Sequence, residues 1–345
     1  MKIIEKSLYK AIIILGAIAG FSCLYMTGCS EKNKFFIRTA EKIGTFVQVT
    51  VITADENQAE AAFKDVFKEF DRVNNLMSAH RDDSELAKVN RASGIKPVRV
   101  SPSLVDILEK SAEYSRKTGG AFDVTIGPVL RLWGFYRNKG YLPSDKELQE
   151  AVSRVGWQNL AIDKKSSTVF LTGRGMALDL GAIAKGYAVD RAAEALKELG
   201  IKNAMINAGG NLYAIGDKDG TGWNIGIRHP EKDDIFATLH ITNTAVATSG
   251  CYERFFDLSG KRFCHIIDAH TGRPIDNGIL SVTIIAPTAT DADAMSTSVM
   301  LLGPDDGFSL LEKTSGFEGL VLFRNAASSS GISVKKTKGF TGQFH

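Results

Sequence analysis

A chain of 345 residues, 44% of them hydrophobic, has ample length for a substantial core, in one large domain or two. Its 42 Lys and Arg against 39 Asp and Glu give a formal charge of +3, without a charge block, and nothing suggests a nucleic-acid partner. Size alone excludes neither an enzyme nor a binding protein.

The N-terminus narrows the setting. Lys2, Lys6 and Lys10 precede an apolar run from Ala11 to Leu24, followed by Met26-Thr-Gly-Cys29. The run is short for a membrane span and ends in small residues, so residues 1–28 read as a signal peptide cleaved before Cys29, and 29–35 as a tether. The segment resembles a bacterial lipoprotein signal, in which the cysteine after the cleavage site is lipid-modified, although Met26 sits where leucine is usual. Retention as an uncleaved anchor is the alternative, and either outcome tethers the domain outside the cytoplasm. Without residues 1–28 the chain is close to neutral.

Beyond the tether, Phe36 to Ile52 alternates as strands interrupted at Gly44. Asp55 to Leu76 carries Ala62, Val66, Phe70 and Val73 at helical spacing. A short helix is expected over 83–90, and Ser101-Pro102 caps another that runs to Lys117. Gly119 to Asp123 reads as a turn and 144–155 as a helix with Asp145 and Glu147 in its first turn. Ser167 to Leu171 is β-rich, Thr172 to Gly175 is a turn, and Ile183 to Leu199 is helical before Gly200 closes it. Strands follow at 204–208, 211–215, 223–227, 238–242, 245–248 and 281–286, with a hairpin of 252–258 and 261–267 around Ser259-Gly260. A helix over 292–302 precedes closing strands at 320–323 and 332–334. The pattern predicts one α+β domain over 36–345, with segregated helices and a mostly antiparallel sheet. Neither a G-x-G-x-x-G after a strand nor a G-x-x-x-x-G-K-S/T is present, so a phosphate site here is of another kind.

Cys23 leaves with the signal and Cys29 would be acylated, which leaves Cys251 and Cys264. The two-residue hairpin turn sets Cys264 opposite Phe255 and Cys251 several residues away along the partner strand, which predicts free thiols.

Met176 to Asp190 joins a carboxylate, a glycine turn and a lysine at a helix start. Asp179 and Lys185 flank that start, where unpaired N–H groups favour an anion and Lys185 adds a point charge. The same residues also suit an ordinary helix with a solvated lysine. Asp293 and Thr297, four apart, present a carboxylate and a hydroxyl on one helix face, hard oxygens that suit Mg²⁺. Alternatively Asp291 or Asp293 simply caps that helix. His265 and Ile267 alternate onto one side of a strand that ends in the turn Asp268 to Gly272, where Asp268 and His270 equally well pin the turn. Zn²⁺ is a poor alternative, because no second His or Cys completes a tetrahedral set.

Taken in order, Ile43-Gly-Thr45, Met77-Ser-Ala-His80 with Ser84-Glu-Leu86 and Asn90, Gly120 to Thr125 with Leu132-Trp-Gly-Phe135, Asp179 to Asp190, Asn207-Ala-Gly-Gly-Asn211, Thr248-Ser-Gly250, His265-Ile-Ile-Asp268 with Thr271-Gly272, and Asp293 to Thr297 resemble the ApbE family. These ordered segments span nearly all of the mature chain. The resemblance implies a T-fold-like α+β domain with FAD:protein FMN transferase activity: FAD and Mg²⁺ bind in a cleft, the pyrophosphate is split, AMP leaves, and FMN is attached by a phosphoester to a Thr or Ser of a partner. Implied acceptors are redox proteins with an exposed flavinylation motif, such as subunits of sodium-pumping NADH:quinone oxidoreductase or Rnf-type complexes.

By motif matching, the metal ligands are the Ala182 carbonyl, Asp293 and Thr297. FAD contacts fall on Ile43, His80, Ala121, Phe122, Asp123, Asp179, Lys185 and Ile267, and His265 is the base near the acceptor hydroxyl. Ile43 stands where methionine is usual, and Cys251 where a polar residue is typical. His80 stands where an aromatic residue is common, a neighbourhood linked in the family to transfer or hydrolysis. An FAD pyrophosphatase and a non-catalytic flavin-binding lipoprotein are the competing functions.

Overall fold

The computed structural model describes residues 33–345 apart from 138–139, 219, 253–254, 259 and 329–330. The signal segment 1–28, the lipidation candidate Cys29 and the tether up to residue 32 lie outside the described residues. Strands β1 (Lys34–Lys42) and β2 (Thr45–Thr53) form a hairpin whose two-residue turn is Ile43-Gly44. Both turn residues have positive φ, 45° and 71°, the left-handed backbone that tight hairpins favour. For Gly44 that costs little; for the β-branched Ile43 it stores strain of about 1–3 kcal/mol.

Helix α1 (Glu56–Met77) follows, capped by the Asp55 side chain, which accepts from the Asn57 N–H at 2.8 Å. Its buried stripe runs Ala59, Ala62, Phe63, Val66, Phe70, Val73 and Met77. Next come α2 (Glu85–Arg91), β3 (Val98–Arg99), α3 (Pro102–Lys117), α4 (Gly127–Trp133) and α5 (Asp145–Val152). Ser101 caps α3, and Ser144 with Glu147 forms a capping box on α5. Strands β4 (Leu160–Asp163) and β5 (Thr168–Leu171) pair with β3 in a small sheet and lead to α6 (Ala184–Glu198).

From there the chain is mostly strand. It runs through β6 (Asn203–Ala208), β7 (Asn211–Ile215), β8 (Trp223–Arg228), β9 (Ile235–Ile241), β10 (Thr244–Gly250), β11 (Phe255–Leu258), β12 (Lys261–Cys264) and β13 (Ile279–Ala286). Helices α7 (Ala289–Leu302) and α8 (Asp306–Lys313) precede β14 (Glu318–Arg324), β15 (Ile332–Lys336) and β16 (Gln343–Phe344).

The main sheet has the order β1-β2-β6-β7-β10-β13-β14-β15, antiparallel at each pairing from β2 to β15. Side-chain alternation divides it into two faces. Val47, Val49, Val51, Tyr213, Ala245, Ala247, Val282 and Ile284 join the buried stripes of α1, α6 and α7 in the larger core. Ile52, Leu212, Ala214, Val246, Leu320 and Leu322 pack instead with Trp223, Ala237, Leu239 and Ile241 of the β16-β9-β8 sheet. A smaller cluster holds Val129, Trp133, Leu148, Ala151 and Ile267. Residues Phe35–His345 form one compact unit of mixed helix and antiparallel sheet, as the pattern predicted.

Four differences from the sequence reading stand out. The short helices α4 and α8 lie where no helix was predicted; seven and eight residues long, they present too few turns for periodicity to register. Strand β9 begins three residues earlier than expected. Helix α7 starts at Ala289 rather than 292, because Thr288 is its N-cap and accepts from the Asp291 N–H at 3.1 Å. Lastly, Cys251 and Cys264 are not free thiols but a disulfide, with Cα atoms 5.0 Å apart. The hairpin register is the expected one, Phe255 opposite Cys264. However, β10 ends at Gly250 and Cys251-Tyr252 form a turn rather than a straight continuation into β11, which brings Cys251 back against Cys264.

Candidate active site at the junction of two helices

The stretch Met176 to Leu180 is threaded through the protein by backbone bonds. Gly127 N–H donates to Ala177 at 3.1 Å, the Asn90 amide brackets Leu178 from both sides at 2.7 and 3.0 Å, and Asp179 N–H donates to Val124 at 2.7 Å. Met176, Ala177, Leu178 and Leu180 are buried, so Asp179 is the one polar side chain of the run. Its two oxygens are occupied: Oδ1 accepts from Gly181 N–H at 2.8 Å and Oδ2 from the Tyr136 hydroxyl at 2.8 Å. The Tyr136 ring meets the exposed His80 edge-on at 4.8 Å between centroids. Burial first, and the Asp179 charge second, push the Tyr136 phenol well above its ordinary range, so it donates to Asp179 rather than ionising.

Gly181 connects this cluster to the next. Its carbonyl accepts from Lys185 Nζ at 3.1 Å, and the same ammonium lies 3.4 Å from Asp293 Oδ1. Asp293 is 2% exposed, one turn inside α7, so it does not cap its own helix. It caps the other one instead. No side chain caps α6 at Ile183, and Gly186 N–H, a donor of the first turn, reaches Asp293 Oδ2 at 3.0 Å. The Ala182 carbonyl lies one residue before the N-cap Ile183, outside the helical ladder that opens with Tyr187 N–H on the Ile183 carbonyl, and among the described residues it accepts no backbone hydrogen bond. Asp190 returns the arrangement: its carboxylate accepts from Ala289 N–H at 2.7 Å, Thr290 N–H at 2.8 Å and the Thr290 hydroxyl at the start of α7. Burial pushes the Asp190 carboxyl up, against those three bonds.

The two helix starts meet at Gly186. A Cβ there would lie 2.1 Å from the Ala289 carbonyl oxygen, so only glycine permits the approach. One turn beyond Asp293, Thr297 Oγ1 lies 3.4 Å from Ser249 Oγ, which also bonds Ser296 at 2.8 Å.

Asp179, Lys185, Ala182, Asp293 and Thr297 are thus joined through short contacts or chain neighbours, and His80 is reached through Tyr136. Asp123 sits nearby in the chain region that holds Asp179. It accepts from Thr125 N–H and hydroxyl at 2.8 and 2.7 Å and from Trp157 N–H at 2.8 Å, and burial pushes its carboxyl up. Ala121 is half-buried, whereas Phe122 is buried against Tyr114 and Ile267 lies in the small cluster. Ile43 occupies the strained β1-β2 turn, and His265 follows the last residue of β12, beside the disulfide. Among the described residues no three His, Cys, Asp or Glu side chains converge on a metal position. A cation here would rest on one carboxylate and neutral oxygens, a set that fits Mg²⁺ when water and phosphate complete its shell.

Sequence reasoning missed Tyr136, Gly186, Asp190 and Ser249. Tyr136 directly follows the quoted Leu132 to Phe135 segment, and Asp190 ends the quoted helix start, but their partners are 43 to 100 positions away.

A family model described as the ApbE family matches residues 43–321, which take in every candidate ligand residue from Ile43 to Thr297. The FAD:protein FMN transferase of Treponema pallidum (strain Nichols) is 36% identical over 324 residues, covering 88% of this chain and 90% of its own. That of Klebsiella pneumoniae (strain 342) is 34% identical over 298 residues, covering 82% and 85%. The chain belongs to the ApbE family. Solved ApbE structures agree: the ApbE protein of Thermotoga maritima superposes with a TM-score of 0.82 at 32% identity, covering 89% of this chain and 98% of that one. The flavin transferase ApbE of Vibrio cholerae gives 0.80 at 29% identity, with the same coverage.

Proposed function

We propose that this ApbE-family chain transfers FMN from FAD to a Thr or Ser hydroxyl of a partner protein, in a Mg²⁺-dependent reaction that releases AMP. Its relatives are FAD:protein FMN transferases over most of their length. The observation that carries the proposal is the reciprocal junction of α6 and α7, which buries Asp293 beside Lys185, next to an Ala182 carbonyl that accepts no backbone hydrogen bond among the described residues. Ala182, Asp293 and Thr297 would hold the Mg²⁺, whose chemistry is to neutralise charge on the pyrophosphate.

The protein's own groups do the rest. Lys185, on the first turn of α6, carries the positive charge that meets a pyrophosphate oxygen, with the helix dipole behind it. Asp179, fixed by Tyr136 and Gly181, joins Lys185 in holding the nucleotide. His265 takes the proton from the acceptor hydroxyl, whose oxygen attacks the phosphorus on the FMN side. The bond from that phosphorus to the AMP phosphate oxygen breaks, and AMP leaves with the electron pair. Such transfers depend mainly on positioning and charge neutralisation, with general-base help of about 10²–10⁴-fold.

Incubation with FAD, Mg²⁺ and an intact acceptor bearing an exposed flavinylation motif gives a covalently fluorescent band with FMN on its Thr or Ser. Absence of that band sinks the proposal. The exposed His80, edge-on to Tyr136 where an aromatic residue is common, favours one second reading: an FAD pyrophosphatase that releases AMP and FMN without an acceptor.

Export and a lipid anchor at Cys29, on a bacterial membrane facing the periplasm or cell exterior, belong to the same proposal. The apolar run before Cys29 supports it, and so does the Cys251–Cys264 disulfide, since such bonds persist in oxidising compartments. Cys29→Ser shifts the protein from the membrane to the soluble fraction; unchanged membrane retention counts against the anchor.

A further inference from the structure

Asn211 is the first residue of β7, and its Oδ1 is buried with no hydrogen-bond partner among the described residues. The residue is 2% exposed. Buried side-chain acceptors are nearly always satisfied, and asparagine is poorly suited to a strand interior, so the fold alone gives no reason for an amide here. Nor does the turn need it. The preceding turn Gly209-Gly210 has positive φ at both residues and is pinned by Asn207, whose Oδ1 accepts from Gly210 N–H at 3.0 Å.

The sheet register shows where Asn211 is placed. It pairs with Ala247 of β10, and Tyr213 and Ala247 both belong to the core on the helix side. Alternation puts Asn211 on that same face, together with Ser249, two residues beyond Ala247. Diagonal neighbours of this kind lie about 7–8 Å apart, a gap that two short side chains leave open for a bridging water. Ser249 in turn contacts Thr297 at 3.4 Å and Ser296 at 2.8 Å on α7. The adjoining turn is also open, since a Cβ on Gly210 would meet nothing nearer than the Thr248 carbonyl at 4.0 Å.

We propose that Asn211 is a positioning residue for the divalent cation, its amide oxygen accepting a hydrogen bond from a water molecule in the cation's shell. This role rests on the proposed site, in which Asp293 and Thr297 hold the cation. Mg²⁺ keeps several waters, and polar groups that orient them govern how tightly the ion is held. A buried carbonyl oxygen without a partner among the described residues, one strand over from the Ser249 that contacts Thr297, meets that requirement.

The test is Mn²⁺ binding to the purified protein, read by the loss of the free-ion electron paramagnetic resonance signal, with no FAD or acceptor present. Asn211→Leu, which keeps the volume and removes the acceptor, is expected to weaken Mn²⁺ binding about 10–100-fold. Asn211→Asp, which keeps the oxygen and adds charge, is expected to match or exceed wild type. Circular dichroism melting identifies a variant that fails to fold, and Asn211→Asp then decides alone: Mn²⁺ binding retained supports the role, and binding lost overturns it. If Asn211→Leu folds and binds Mn²⁺ like wild type while Asp293→Ala does not bind, the role of Asn211 falls and the cation site stands. If wild type itself binds no Mn²⁺, or Asp293→Ala binds as wild type does, the cation site fails and Asn211 falls with it.

Discussion

The α6–α7 junction and the β11–β12 hairpin hold the two ends of the proposed reaction by opposite means. At the junction Asp293 and Asp190 each cap the partner helix, and Gly186 lets the helices touch. At the hairpin, two four-residue strands carry His265 just past their end, and a disulfide ties Cys264 back to the end of β10. Burying a carboxylate is tolerable only with dedicated donors, so the junction fixes one geometry. The hairpin is held by the disulfide and by two aromatic contacts, Phe256 stacked on Phe135 and Phe263 against Trp133.

The largest expected effect probes the rigid end. Asp293→Asn keeps the shape and one acceptor for Gly186 but removes the charge; FMN transfer is expected to fall about 10³-fold in a single-turnover assay. A loss below tenfold would place the cation elsewhere. At the hairpin, the double substitution Cys251→Ser with Cys264→Ser is expected to cost up to about 3 kcal/mol in urea unfolding. It is expected to lower transfer to an acceptor more than AMP release, and equal losses in both would show that the disulfide serves only stability.

Gly186→Ala separates the two regions further. Its methyl group forces the helix starts apart, for about 1–3 kcal/mol of lost stability, with Mn²⁺ binding weakened while the disulfide still forms. The pH dependence gives a smaller signal. Burial raises Asp123, so folding favours its protonated form: its contribution is full below the ordinary carboxyl pKa of 3.8 and is lost as pH rises through the raised value. The stability difference between wild type and Asp123→Ala, followed by urea midpoints, is expected to move against wild type over that window. Smallest of all, Ala182→Ser leaves the carbonyl in place and is expected to change transfer less than about threefold, whereas Lys185→Ala costs well over tenfold.

Much of the fold was legible because its signals are local. The α1 stripe, the Ser101-Pro102 and Ser144 caps and the alternation of β6, β7 and β10 each repeat within a few residues. The short helices α4 and α8 were missed because seven or eight residues carry too little period. Within the site, Asp179, Lys185, Asp293 and Thr297 were visible as residue types at suitable spacing. Asp190 and Tyr136 were not, because what marks them is a partner far along the chain.

The sequence by itself determined most of the longer elements, the α+β class, the family resemblance and the candidate donors, since propensity, capping and periodicity act over one or two turns. Only tertiary structure decided that Asp293 caps α6, that Asp190 caps α7, that Cys251 bonds Cys264 and that Asn211 Oδ1 is buried without a partner among the described residues. Each of these depends on the close approach of distant segments, in distances of a few ångströms that packing alone sets.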